Sequence, residues 1–159
     1  MNLNNLTIKA QESVQYAQQL AFENEHPQIE NEHLFQGLIE TDESGISYLF
    51  SKLQIKTDLL KELNKSVLKG FPKVTGGSQM LSQNTSQTLM NAVAMAKKQG
   101  DEYVATEHLL LALLESKSTV SKMLKDQGVT KAKLEESINT LRKGEKITSA
   151  SAEQNYNAL

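Results

Sequence analysis

Two short runs, Glu23-Asn24-Glu25-His26 and Glu30-Asn31-Glu32-His33, repeat an E-x-E-H pattern seven residues apart and hold the residue types best suited to chemistry. Carboxylate and imidazole together are ligands for zinc or manganese, so Glu25, His26 and His33 outline one reading, a small metal-dependent hydrolase. Other chemistries are excluded. The 159 residues contain no cysteine, which removes thiolate ligands, cysteine nucleophiles and disulfides. No G-x-x-x-x-G-K-[ST], G-x-G-x-x-G, H-E-x-x-H or G-x-S-x-G occurs, and Gly76-Gly77 has no flanking strand and reads as a flexible turn.

The elements that must position these residues occur twice. The segment from Thr7 to Glu40 aligns without a gap on Ser82 to Glu115 at an offset of 75, with 7 identities in 34 pairs. The anchors are Glu32-His33-Leu34 against Glu107-His108-Leu109, Leu38 and Glu40 against Leu113 and Glu115, and Ala17 and Ala21 against Ala92 and Ala96. After a one-residue slip, Ile46, Leu49, Phe50, Ile55 and Leu60 fall on Val120, Met123, Leu124, Val129 and Leu134. The metal set does not survive the duplication, because Lys98-Gln99-Gly100-Asp101 stands where the first E-x-E-H stood. Two copies of a unit of about 75 residues imply one pseudo-twofold domain. Such a unit more naturally builds a surface than the cleft of unlike residues that catalysis needs.

The periodicity within each copy is helical. Ala10, Val14, Ala17 and Ala21 draw one apolar stripe, and Thr85, Leu89, Ala92 and Ala96 draw the same stripe in the second copy. His26-Pro27 and Gly100 close these helices. Asn31 and Thr106 read as N-caps of the next helices, with Glu32 and Glu107 in the favourable first turn, and Leu34, Leu38, Leu109 and Leu113 form the buried stripes. A third helix is expected over about 45–53 and again over 119–127. A fourth starts at Thr57 as N-cap, carries Leu60, Leu63 and Val67 inward and ends at Gly70; its counterpart runs over 130–142. The expected fold is all-α, a pseudo-twofold bundle of about eight helices built from two four-helix repeats. Its domain spans 1–143, with repeat one at about 5–70, a connector at 71–80 and repeat two at about 81–143. Residues 144–159, small and polar, read as a linker.

Charge and hydropathy narrow the function classes. Net charge is −2, and no Lys or Arg lies between Lys9 and Lys52, where Glu12, Glu23, Glu25, Glu30, Glu32, Glu40, Asp42 and Glu43 all fall. That field opposes nucleic-acid binding, which needs a basic stripe. No apolar run approaches a signal peptide or the roughly 20 residues needed to span a bilayer, so a soluble cytoplasmic protein is expected, with neither nucleic acid nor membrane as partner. The period leaves two readings of the stripe around Leu6, Val14 and Ala17: a wholly packed spacer, or a seam whose partly exposed apolar groups make a shallow groove for extended peptide.

The duplicated unit, with its Glu-His-Leu helix starts, resembles the Clp N-terminal repeat domain of the AAA+ unfoldases over about 3–142. Asn5-Leu6-Thr7 with Lys9, the connector Phe71-Pro72-Lys73-Val74 with Gly76, and the closing Glu153-Gln154, Tyr156 and Ala158-Leu159 are similar to the ClpB-type disaggregase branch. The resemblance implies a substrate-binding domain tethered to an absent ATPase module, capturing unfolded or aggregated polypeptide through a shallow apolar groove. It implies no catalytic or metal residue and no cofactor in this chain, with ATP and Mg belonging to the parent, a hexamer for the full-length protein, and co-chaperones as further partners. Thr7, Asp101 and Glu107 match polar positions implicated in that role, and Leu89, Ala92 and Met95 match the groove floor. An adaptor-docking domain of a protease-linked ClpA or ClpC unfoldase is the alternative within the family.

Overall fold

Residues 3–153 are described by the structure, a computed structural model; Gln154, Tyr156, Ala158 and Leu159 of the closing motif lie outside them. After a 3-10 turn at Leu3–Asn5 come α1 (Ile8–Glu23), β1 (Gln28–Ile29), α2 (Asn31–Thr41), α3 (Glu43–Lys52), α4 (Thr57–Lys69), β2 (Met80–Leu81), α5 (Gln83–Lys98), α6 (Thr106–Leu114), α7 (Thr119–Asp126) and α8 (Lys131–Arg142). Among the described residues the fold is all-α, eight helices in two sets of four, as the duplication implies.

The repeats are not two beads. α2 and α6 lie at the centre: α2 is buried from Asn31 to Ile39 and α6 along its whole length. α3 of repeat one packs on α8 of repeat two, and α7 packs on α2 and α4. One continuous core therefore runs from Leu6 and Leu34 to Leu109, Leu134 and Ile138. The connections are exchanged as well. β2, just ahead of the second copy, pairs in parallel with β1, bringing Ile29 opposite Leu81. In the equivalent position Leu6 bridges Val104 in parallel. Each repeat thus lends its leading segment to the other.

Three local expectations change. The caps of α2 and α6 are Glu30 and Ala105, not Asn31 and Thr106, which occupy the first helical positions. The orphan amides of Glu30 and Ala105 are met from within the first turn, each donating 2.8 Å to Nδ1 of His33 or His108. This explains why a histidine recurs three residues into both helices. The fourth helix is capped by Lys56 rather than Thr57, and its inward face is Leu60, Asn64 and Leu68, leaving Leu63 exposed at 41% and Val67 half-buried. Asn64 can be buried because its amide donates to the Glu32 carbonyl and to Gln36 Oε1. Finally, residues 145–153 are not a free linker. Ile147 and Ala152 are buried against Ala105, and backbone amides of Glu102 and Ile8 donate to the carbonyls of Ile147 and Ala150.

Candidate functional site

The sequence-expected site residues divide into a buried polar network and an open apolar shelf. The network lies under the start of α6. Thr7 caps α1, its Oγ1 accepting from the Ala10 amide, and it is fully buried. Its hydroxyl donates to Glu153 Oε2, which also accepts from the Thr106 amide at 3.1 Å. Asp101, at the turn after α5, accepts from the Ile147 amide at 2.9 Å, from Arg142 Nη1 at 3.0 Å and from His108 Nε2 at 2.9 Å. Glu107 accepts from Arg142 Nε at 2.9 Å. Thr7, Asp101 and Glu107 are therefore tied to one another through Arg142, Thr106 and Glu153, and none faces an open surface.

The electrostatics of this network are those of packed ion pairs. Burial pushes Asp101 up, but the Ile147 amide, the Arg142 guanidinium and His108 outweigh it and hold the carboxyl below its ordinary value. Burial lowers His108 despite the pull of Glu107 and Asp101. Glu153 is pushed up to about 7 by burial and by the nearby charge of Glu107, against the hydrogen bonds from Thr7 and Thr106. Asp42, whose Oδ2 accepts from the Thr106 hydroxyl at 2.6 Å, is raised to about 6, again chiefly by burial.

The proposed metal trio is not assembled. His33 Nδ1 accepts from the Glu30 amide, so the neutral ring carries its proton on Nε2 and donates it to His26 Nδ1 at 2.8 Å. Three of the four ring nitrogens are thereby engaged, and burial followed by the His26 neighbour pulls His33 down to about 4. Both rings pack edge-on against Phe71, whereas Glu25 is exposed. Among the described residues no group of three or more His, Cys, Asp or Glu side chains could hold a metal ion. Nor is any described helix long and apolar enough to cross a membrane.

The apolar shelf lies on α5. Leu89 belongs to the buried stripe, yet it also floors a cavity of about 470 Å³ with Leu81, Ser86, Met90 and Val93. Met90 is 63% exposed and Met80, beside Leu81, is 72% exposed. Of the other expected floor residues, Ala92 is fully buried and Met95 packs against the main core. The open side of α5 therefore runs through 86, 89, 90 and 93, one step around the helix from the stripe that periodicity marks. The first repeat provides a control. The positions equivalent to Ser86, Met90 and Val93 are Gln11, Gln15 and Gln18, and Leu6, the equivalent of the half-buried Leu81, is fully buried. At these positions the second copy is apolar where the first is polar, although α1 exposes Ile8 and Phe22 elsewhere, at 41% and 64%.

Comparison with known proteins agrees with this double-repeat architecture. The model of the family described as "Clp repeat (R) N-terminal domain" matches residues 5–127 and again 80–157, so the chain belongs to that family. Along its whole length it is 43% identical to the chaperone protein ClpB of Bacteroides thetaiotaomicron and 38% identical to that of Porphyromonas gingivalis, covering 18% of each. The chain thus spans less than a fifth of the length of these curated relatives. The Hsp104 N-terminal domain from Candida albicans shares the fold, with a TM-score of 0.83 and 23% identity over 94% of this chain and 99% of that one.

Proposed function

We propose that this chain is the substrate-capturing N-terminal domain of a larger ATP-driven, ClpB-like disaggregase, and that the α5 shelf seats apolar stretches of unfolded polypeptide. The observation that carries this reading is the asymmetry between the repeats. A helix face that carries Gln11, Gln15 and Gln18 in one copy carries Ser86, Met90 and Val93, beside an open cavity, in the other. Unbranched, polarizable methionine adapts to many side chains, which suits a surface that must accept unrelated sequences. A small shelf also binds weakly, since ordering an extended chain offsets much of the gain, and weak binding allows onward transfer. ATP, Mg and a hexameric ring belong to the parent in this reading, and the chain itself carries no catalytic step. Thr7, Asp101 and Glu107 act indirectly, by fixing α1, α6 and the closing segment in place.

Binding of a fluorescently labelled, permanently unfolded protein tests the proposal. Met90→Glu should weaken binding at least tenfold with an unchanged thermal melt, because the side chain is exposed. Unchanged binding by that variant would contradict it.

A further inference from the structure

The two repeats also carry equivalent pockets of different character. In repeat two, a cavity of about 230 Å³ is lined by Arg142 and Lys146 together with Glu135 and Glu145. Its cations are already answered: Arg142 holds Asp101 and Glu107, and Lys146 Nζ donates to the Gln99 carbonyl at 2.7 Å. The matching cavity in repeat one, about 240 Å³, lies between the end of α1, α2, α4 and the connector. There Leu68 stands where repeat two has Arg142, and His26 stands where it has Asp101.

The result is a pocket with cations and no carboxylate in its lining. Lys65, Lys69 and Lys73 rim it over a floor that includes Leu20 and Leu68. Lys69 and Lys73 form no ion pair among the described residues, and Lys65 reaches only Glu62, at 3.7 Å. Glu40, at the end of the neighbouring α2, is already held by Lys61 at 3.0 Å and Gln36 at 3.0 Å. His26 also lines the cavity, and because its Nδ1 accepts from His33, the neutral ring carries its proton on Nε2. Every charged group in the lining thus favours an anion, while the leucines favour an apolar group beside it. The cavity is smaller than the 300–1,000 Å³ or so typical of drug-sized sites, which suits a single residue.

We propose that this repeat-one pocket binds the C-terminal residue of a polypeptide, its free carboxylate between Lys65, Lys69 and Lys73 and its apolar side chain on Leu20 and Leu68. The site is independent of the α5 shelf and supplies end recognition that the shelf lacks.

The test is an amide NMR titration of the chain with three probes: an acetylated hexapeptide ending in free leucine, the same peptide as its C-terminal amide, and an amidated hexapeptide with one internal aspartate. The free acid should shift Asn24, His26 and residues 65–73, with affinity falling at least tenfold on amidation and further at high salt. The exposed double substitution Lys69→Glu, Lys73→Glu should abolish those shifts while leaving the melt and the Met90 signals unchanged. Equal binding of acid and amide would overturn the proposal. So would internal aspartate binding as tightly as the free terminus, or shifts confined to Met90 and Val93.

Discussion

Arg142 is 6% exposed and is bound to both Asp101 and Glu107, so its removal leaves two buried carboxylates without their counter-charge. Breaking such a set from one side costs about 3–5 kcal/mol, and Arg142→Met should lower stability by that amount in urea unfolding; a loss below about 1 kcal/mol would contradict the network. Glu153 gives a prediction of opposite sense. Its folded value of about 7 lies above the ordinary 4.5, so between those values the folded chain holds more protons than the unfolded one, and stability falls as pH rises through the window. Glu153→Gln keeps an oxygen for Thr7 and Thr106 and removes the charge that burial and Glu107 oppose. It should therefore stabilise the chain at pH 8 by on the order of 1–3 kcal/mol and change little near pH 4.5. His33, held near 4 against an ordinary 6.5, acts the other way, its contribution being lost as pH falls through that range. The difference between variant and parent isolates Glu153 from it. None of this was legible in the sequence. The burial of Thr7, Asp101 and Glu107 has no local signal because their partners, Glu153 for Thr7 and Arg142 for the two acids, lie 35 or more positions away, and a buried ion pair has no periodic signature.

At the scale of the helices, the first and second of each repeat were readable because their contacts obey the 3.6-residue period. Leu34 and Leu109 are 1% and 0% exposed, and Leu34→Ala or Leu109→Ala should each cost roughly 2–5 kcal/mol. Gly37 shows a tighter constraint. A Cβ there would sit 2.3 Å from the Ser13 carbonyl oxygen, while the second copy carries a buried Ala112 at the same position. α1 therefore lies closer on α2 than α5 does on α6. Gly37→Ala should destabilise by about 1–3 kcal/mol through forced separation, visible as a lower urea midpoint; a neutral effect would show that α1 slides freely. Misread features had specific causes. A capping reading looks for a side chain at the cap itself, whereas here histidine accepts from inside the first turn. The phase of α4 differs from the expected one because apolar type alone points Leu63 and Val67 inward beside Leu60. Asn64 is the buried one, its amide nitrogen donating to α2.

At the scale of the whole molecule, duplication is the organising fact, and exchange of leading segments makes it a single folding unit. Because Leu6 bridges Val104 and Leu81 pairs with Ile29, residues 1–78 or 79–159 expressed alone should each lack a cooperative melt. Mixing the two should restore helicity; an independently folded half would refute the exchanged core. The same duplication makes each repeat a control for the other, which reveals how the copies differ in side-chain chemistry: glutamines against methionine and valine on the first helix, His26 and Leu68 against Asp101 and Arg142 in the side pocket. The shelf itself could only be half read, since periodicity finds the face that packs and is silent about the adjacent face left uncovered. The most direct measurement of the central claim is an amide NMR titration of the chain with an unfolded protein. Shifts at Leu81, Ser86, Leu89, Met90 and Val93, with none at Gln11, Gln15 and Gln18, are the result expected of a client shelf unique to repeat two. Equal shifts on both helices, or none at millimolar client, would contradict it.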